Sequence, residues 1–290
     1  VTMHPLLSVS ALGVRLQQES PPTLLDVRWR LMGPPGRQDY EQGHLPGAVF
    51  VDLDSELASP PGAEGRHPLP DPTRLGELLR AAGVDRDRSV VVYDDGDGSA
   101  AARAWWLLRW AGHEQVSVLD GGYAAWVAAD LPVTAVEPRP SPGSFRVRPG
   151  CMPVLDAQGA ARLAREGYLL DARAPERYRG EHEPVDARAG HVPGAINAPF
   201  TDHVVPSGQE SAGQWRSPAE LAERFARMGV EGTAPVGAYC GSGVTACSVL
   251  LALEHAGVST PDHPAMLYAG SWSHWSRDPE RPVATGPEPG

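Results

Sequence analysis

Cys240 stands in the segment Ala238-Tyr239-Cys240-Gly241-Ser242-Gly243-Val244-Thr245-Ala246. An apolar stretch, Ala234-Pro235-Val236-Gly237-Ala238-Tyr239, precedes it, and the helical pattern Cys247-Ser248-Val249-Leu250-Leu251-Ala252-Leu253-Glu254-His255 follows. A cysteine on a Gly-rich turn between strand and helix faces unpaired backbone N–H groups and the positive end of the helix dipole. Such surroundings favour the thiolate, which is the reactive form. The N–H groups of Gly241, Gly243, Val244 and Thr245 could also hold an anion bound to, or passed onto, the sulfur. A small buried cysteine packed under a helix is the plainer reading. Gly241 and Gly243 argue against it, because glycine weakens a helix start unless backbone must approach something closely.

Two further residues could serve this chemistry. His67, in Gly65-Arg66-His67-Pro68, is an acid/base candidate, set against an ordinary loop histidine. Arg177, in Pro175-Glu176-Arg177-Tyr178-Arg179-Gly180, lies just beyond an expected strand end, where a guanidinium could grip an anion. Spacing alone leaves a surface salt bridge as an equal reading of Arg177.

The elements that must position these groups are written twice. Leu24-Leu25-Asp26-Val27-Arg28 returns as Leu169-Leu170-Asp171-Ala172-Arg173, an offset of 145 residues. Gly43-His44-Leu45-Pro46-Gly47-Ala48 returns as Gly190-His191-Val192-Pro193-Gly194-Ala195, an offset of 147. Val91-Val92-Tyr93-Asp94 returns as Gly237-Ala238-Tyr239-Cys240, and Gly121-Gly122-Tyr123-Ala124-Ala125-Trp126 as Gly270-Ser271-Trp272-Ser273-His274-Trp275, offsets of 146 and 149. A near-constant offset means two copies of one domain, with a period far too long for a solenoid. Residues 1–132 are read as the first copy and 154–290 as the second. Residues 133–153, with Pro138, Pro140, Pro142 and Pro149, read as a stiff, extended linker. Strands are expected over residues 23–27, 90–93, 116–119, 168–171 and 236–239. Helices are expected over 75–82, 100–111, 218–228 and 245–255. The alternation predicts an α/β fold in which each copy is a mainly parallel sheet flanked by helices, with functional groups at the carboxyl ends of strands. Cys240 lies at such an end.

Asp94 holds the first-copy position that matches Cys240. A carboxylate cannot accept sulfur, so the first copy is expected to be non-catalytic. Gly96-Asp97-Gly98-Ser99-Ala100-Ala101 imitates a dinucleotide fingerprint, with Asp120 where a ribose-binding acid could sit. Asp94, Asp95 and Asp97 would repel a pyrophosphate, so a shared loop-to-helix turn explains the pattern better. The same acids lack the closing Glu of a calcium loop. His44 and His191 follow Gly in both copies, which favours a structural hydrogen bond over catalysis. Trp105, Trp106, Trp272 and Trp275 read as core and interface aromatics.

Composition narrows the classes. The chain has 290 residues and a formal charge of −11, which disfavours nucleic acid and anionic membranes as partners. Every basic residue is arginine. The missing lysine excludes Walker-type NTPase and pyridoxal chemistry. No run of eighteen apolar residues marks a membrane span, and Val1-Thr2-Met3-His4-Pro5 has no leader pattern. The three cysteines, Cys151, Cys240 and Cys247, make no disulfide framework and no zinc spacing, so a reducing cytoplasm is expected and no metal. Cys247, near the start of its helix, is expected to be buried rather than a resolving thiol. A Cys-based phosphatase would need an arginine six after the cysteine, where Ala246 stands.

These residues resemble the tandem-domain rhodanese-like sulfurtransferases, over roughly residues 7–275. The paired Leu-Asp-x-Arg and Gly-His-x-Pro-Gly-Ala blocks, and Asp94 in place of cysteine in the first copy, are similar to that family. Cys-Gly-Ser-Gly-Val-Thr is similar to the active loop of the 3-mercaptopyruvate sulfurtransferases; thiosulfate-preferring relatives more often carry basic residues after the cysteine. The resemblance implies that Cys240 becomes a persulfide and that Ser242, His67 and Asp54 form a proton relay. It implies Arg177 as the binder of the substrate carboxylate. A second substrate arginine nine residues on is not matched; Arg188, eleven on, is the available assignment. The family's Asp-Gly-Ser-Trp is here Ala269-Gly270-Ser271-Trp272. The activity implied is ping-pong transfer of sulfur from a small donor, 3-mercaptopyruvate, to a thiol, cyanide or thioredoxin acceptor without a cofactor. A thiosulfate donor is the alternative, and a sulfur carrier serving only a protein partner is the reading of another class.

Overall fold

The computed structural model describes residues 3–230 and 234–290; residues 1–2, where the N-terminal stretch without a leader pattern begins, lie outside it. The chain divides into two compact units. The first comprises Val1–Ser59, Pro70–Cys151 and Val204–Trp215, and the second Pro60–Leu69, Met152–His203 and Arg216–Gly290. The second unit therefore contains a short piece of the first half of the sequence, which carries His67.

The first unit holds a sheet of β1 (Leu6–Leu7), β2 (Thr23–Asp26), β3 (Val49–Phe50), β4 (Val90–Tyr93) and β5 (Val116–Leu119), in the order β1-β5-β4-β2-β3. The second holds β6 (Tyr168–Asp171), β7 (Ile196–Asn197), β8 (Val236–Tyr239) and β9 (Met266–Leu267), in the order β7-β6-β8-β9. Every pairing is parallel. Read from the opposite edge, the second order repeats β5-β4-β2-β3, and a parallel bridge from Val154 to Leu267 stands where β1 pairs with β5. The fold is α/β, as expected. Central strands β4 and β8 are buried along their whole length, as strands covered on both faces must be.

The expected strands and helices are present, with ends differing by up to three residues. β1, β3, β7 and β9 were not expected, since two residues are too few to show a period. The proline-rich segment, expected to be a stiff, extended linker, also packs on the first unit. It has no regular structure, yet it straps the first unit: His44 and Thr134 exchange backbone bonds, Gly143 N donates to Arg80 O, and Arg148 N donates to Ala111 O. Phe145 is buried, its N–H bonded to Val84 O. No described helix is long and apolar enough to cross a membrane.

One device closes each sheet at the strand end. Asp26 and Arg28 form a buried ion pair, with Arg28 Nη2 2.8 Å from Oδ2, and the same nitrogen donates to Gly43 O at 2.7 Å. Asp171 and Arg173 repeat it at 2.6 Å, with Gly190 O at 2.7 Å. The repeated Leu-Asp-x-Arg block thus ties the strand end to the Gly-His turn. His44 stacks on Tyr40 and His191 on Tyr178, with both ring nitrogens of each near backbone carbonyls. Both histidines are structural.

Candidate active site

The loops that follow β4 and β8 hold matching places in the repeat but turn differently, with Gly98 left-handed before the first helix and Val244 right-handed before the second. In the first unit the loop from β4 to helix Ser99–Trp110 is closed by its own carboxylate. Asp94 Oδ1 accepts from Gly96 N at 3.0 Å and Gly98 N at 3.1 Å, and Oδ2 accepts from Ala101 N at 3.0 Å. Burial pushes the acid up to about 7, with Asp97 adding to the shift and the three N–H groups opposing it. The dinucleotide-like glycines therefore present their N–H groups to an internal anion.

At the matching place in the second unit stands Cys240, 2 % exposed, at the end of β8. Gly243, held at φ +82°, turns its N–H onto Cys240 Sγ at 3.1 Å. Helix Thr245–His255 begins at Val244 without a side-chain cap. The N–H groups of Gly241, Ser242, Val244 and Thr245 have no protein acceptor among the described residues. Ser242 and Val244 correspond to Gly96 and Gly98, whose N–H groups bind Asp94. N–H groups at a helix start can bind an anion from outside the chain.

Helix Ser271–Trp275 braces this loop. Trp272 N donates to Cys240 O and Ser273 N to Gly241 O, both at 2.9 Å. Cys240 N donates to Ser271 Oγ at 3.1 Å. Both carbonyls are thus held by the helix start. Cys247 is fully buried and its thiol donates to Gly243 O at 3.3 Å, as expected for a structural cysteine.

His67 Nδ1 lies 2.7 Å from Ser242 Oγ, and both residues are buried. Asp54 belongs to the other unit, on an exposed turn where Ser55 N and Oγ donate to Asp52 Oδ1. Arg177 reaches the loop: its Nη1 and Nη2 lie 3.5 and 3.7 Å from where a Gly241 Cβ would stand. Nη2 donates to Glu183 at 2.7 Å and Asp186 at 3.2 Å, and Nε to Glu183 at 3.3 Å. Burial works against both acids. Arg177 and two backbone N–H groups hold Glu183 below the usual range, whereas burial outweighs Arg66 and Arg177 and pushes Asp186 up.

Arg188 is placed differently from its assignment. Nε donates to Ser276 O at 2.9 Å, Nη1 to Arg281 O at 3.1 Å, and Nη2 to Asp278 O at 2.6 Å. It clamps the C-terminal end of helix Ser271–Trp275 because unpaired helix-end carbonyls draw a cation. Sequence reading missed Arg66, whose Nη2 is 2.8 Å from the same Gly241 Cβ position. Its place beside His67, in a segment without a counterpart in the repeat, was the available signal. Ser271 and Ser273 left no such signal.

The rhodanese-like domain model matches residues 10–129 and again 156–278. The chain is 48% identical over 290 residues to a probable 3-mercaptopyruvate sulfurtransferase of Pseudomonas aeruginosa, covering 97% of this chain and 98% of the relative. It is 44% identical to the putative thiosulfate sulfurtransferase SseB of Mycobacterium tuberculosis, with 97% of each covered. The crystal structure of SseA from Escherichia coli, described as a 3-mercaptopyruvate sulfotransferase of rhodanese fold, superposes with a TM-score of 0.79 at 32% identity. That match covers 93% of this chain and all of the other.

Proposed function

The chain belongs to the tandem rhodanese-like sulfurtransferases, and from that premise we propose that it takes sulfur from 3-mercaptopyruvate onto Cys240 and passes it to a small thiol, cyanide or a thioredoxin. The observation that carries this reading is the loop around Cys240, with its open N–H groups and an arginine over the residue beside the nucleophile.

The Cys240 thiolate attacks the donor's thiol sulfur. A sulfur–sulfur bond forms, the carbon–sulfur bond breaks, and its electron pair leaves as the enolate of pyruvate. The hydrogen on the transferred sulfur is lost from the persulfide and a proton reaches the enolate carbon, giving pyruvate. Ser242 and His67, 2.7 Å apart, form the path for that proton, and Asp54 completes the relay by resemblance alone. Arg177 holds the carboxylate, and the N–H groups of Gly241, Gly243, Val244 and Thr245 face the developing negative charge. The acceptor's thiolate or cyanide then attacks the outer sulfur and releases the Cys240 thiolate. Three cysteines outside any disulfide suit a reducing compartment.

The test compares kcat/KM for 3-mercaptopyruvate and thiosulfate on one preparation, with cyanide as acceptor. A strong preference for 3-mercaptopyruvate, abolished in Cys240→Ser, is expected. Preference for thiosulfate would overturn the donor assignment. A folded protein inert with both would favour the protein-specific carrier.

A further inference from the structure

Two guanidinium nitrogens converge on the residue next to the nucleophile. Arg66 Nη2 and Arg177 Nη1 lie 2.8 and 3.5 Å from where a Cβ on Gly241 would be, and neither has a protein acceptor among the described residues. Arg66 Nε is buried and also without a partner. Resting on the donor proposed above, we propose that Arg66 and Arg177 form a two-arginine clamp for the carboxylate of a 2-oxo acid, with Asp186 as the strut that holds the pair.

The strut is what permits two cations to stand this close. Asp186 gives one oxygen to each: Oδ1 accepts from Arg66 Nη1 and Oδ2 from Arg177 Nη2. Glu183 fixes the other side of Arg177 and also reaches Arg173 at 3.3 Å. With one edge of each guanidinium bound, Arg66 Nη2 and Arg177 Nη1 are left facing Gly241. A carboxylate there would receive one N–H from each arginine, a charge-assisted arrangement. Its neighbouring carbonyl carbon and thiol would then extend toward Cys240.

The backbone of Arg66 is built for this placement. Arg66 N donates to Ser273 Oγ at 3.1 Å, on the same residue whose N–H holds Gly241 O. Gly65, at φ +113°, passes so close that a Cβ would stand 2.8 Å from Gly270 O and 2.9 Å from Ser273 Oγ. One helix turn therefore sets both the nucleophile's loop and Arg66. Gly241 itself must lack a side chain, since one would occupy the space beneath the clamp.

The clamp and the donor assignment are separated by binding. Pyruvate, the smallest 2-oxo acid, is titrated into folded Cys240→Ser, which cannot turn over, and into Cys240→Ser/Arg66→Ala. The parent binds pyruvate, and removing Arg66 weakens it by about 10-fold or more, as expected for a hydrogen bond between charged groups. In the enzyme with Cys240 intact, Arg66→Ala raises KM for 3-mercaptopyruvate similarly while kcat falls far less. Cyanide discharge of a persulfide preloaded with inorganic polysulfide keeps its rate, because cyanide has no carboxylate. Arg66→Lys restores part of the affinity and guards against a folding defect. Asp186→Asn also weakens pyruvate, and less than additively with Arg66→Ala, since both act through one clamp. Equal pyruvate affinity with and without Arg66 overturns the clamp alone. A parent that ignores pyruvate overturns the 2-oxo acid donor and the clamp with it.

Discussion

Replacing Asp94 by alanine empties a loop whose twin is proposed to hold an outside anion. Three backbone donors, Gly96, Gly98 and Ala101, lose their acceptor. Unmade bonds of buried donors cost about 1–3 kcal/mol each. Against that, a carboxylate held near 7 instead of 3.8 costs the fold about 4 kcal/mol at pH 8, where it is charged. The two contributions oppose each other, so the melting point of Asp94→Ala by itself decides little. Anion dependence decides. Formate has the shape of the deleted group, and at tenfold excess over its dissociation constant it stabilises by about 1.4 kcal/mol. For a chain of this size that raises Tm by roughly 3–6 °C. Calorimetry at pH 8 compares sodium formate with sodium chloride at equal ionic strength, in Asp94→Ala and in the parent. Binding at the Cys240 loop is common to both proteins and cancels. An equal formate response in the two would refute the idea that the Asp94 loop binds an anion once its own carboxylate is gone.

Asp171→Asn and Asp26→Asn each break a buried, multiply bonded ion pair; each loses about 3–5 kcal/mol, and a Tm within about 2 °C of the parent would show that the pair does not secure its strand end. His203 is buried among Phe225, Arg224 and Arg216, and burial, with the two arginines adding, pulls it down to about 3. The unfolded chain takes up that proton near 6.5 and the native protein does not, so stability is full above pH 6.5 and falls as the pH drops. The loss is up to about 1.4 kcal/mol per pH unit, and urea titrations should find it removed in His203→Phe; an unchanged slope would place the acid sensitivity elsewhere.

Much of the fold was legible because its repeat preserves the residues that hold the structure together. Asp26 and Asp171 recur because each must neutralise an arginine, and His44 and His191 because each stacks on a tyrosine and meets backbone carbonyls. The long central strands and helices were visible through their apolar runs. Two-residue strands left no trace, and the proline-rich segment hid its packing, since backbone bonds to Arg80, Val84 and Ala111 carry no side-chain signature. Cys240 stood out through the glycines around it, whereas Ser242 was assigned by resemblance. Arg66 was not legible, because proximity to Gly241 depends on how the segment Pro60–Leu69 packs in the second unit. Arg188 was assigned by resemblance although it stands eleven residues on and not nine, and in the structure its guanidinium meets the carbonyls of Ser276, Arg281 and Asp278.

The two loops differ in backbone and in the group at the strand end, and much of their surroundings follows from that group. Asp94 brings its own negative charge, so its loop needs no cation to complete it and its N–H groups are spoken for. Cys240 brings at most one charge on a sulfur that accepts weakly, here from Gly243, and the N–H groups of Gly241, Ser242, Val244 and Thr245 have no protein acceptor among the described residues. Unpaired donors beside a nucleophile are costly to the fold and useful to a reaction that develops negative charge there. That cost explains the density of support behind the second loop, where Ser271, Trp272 and Ser273 each hold part of it. It also explains why two arginines approach the second loop only with Asp186 and Glu183 beside them. Arg66, Arg177 and Arg173 face Asp186, Glu183 and Asp171, three charges of each sign. A monocarboxylate adds a single charge to that balance, and thiosulfate adds two. On the proposed donor assignment, a variant that removes an acid from this group without loosening the arginines is expected to raise kcat/KM for thiosulfate relative to 3-mercaptopyruvate.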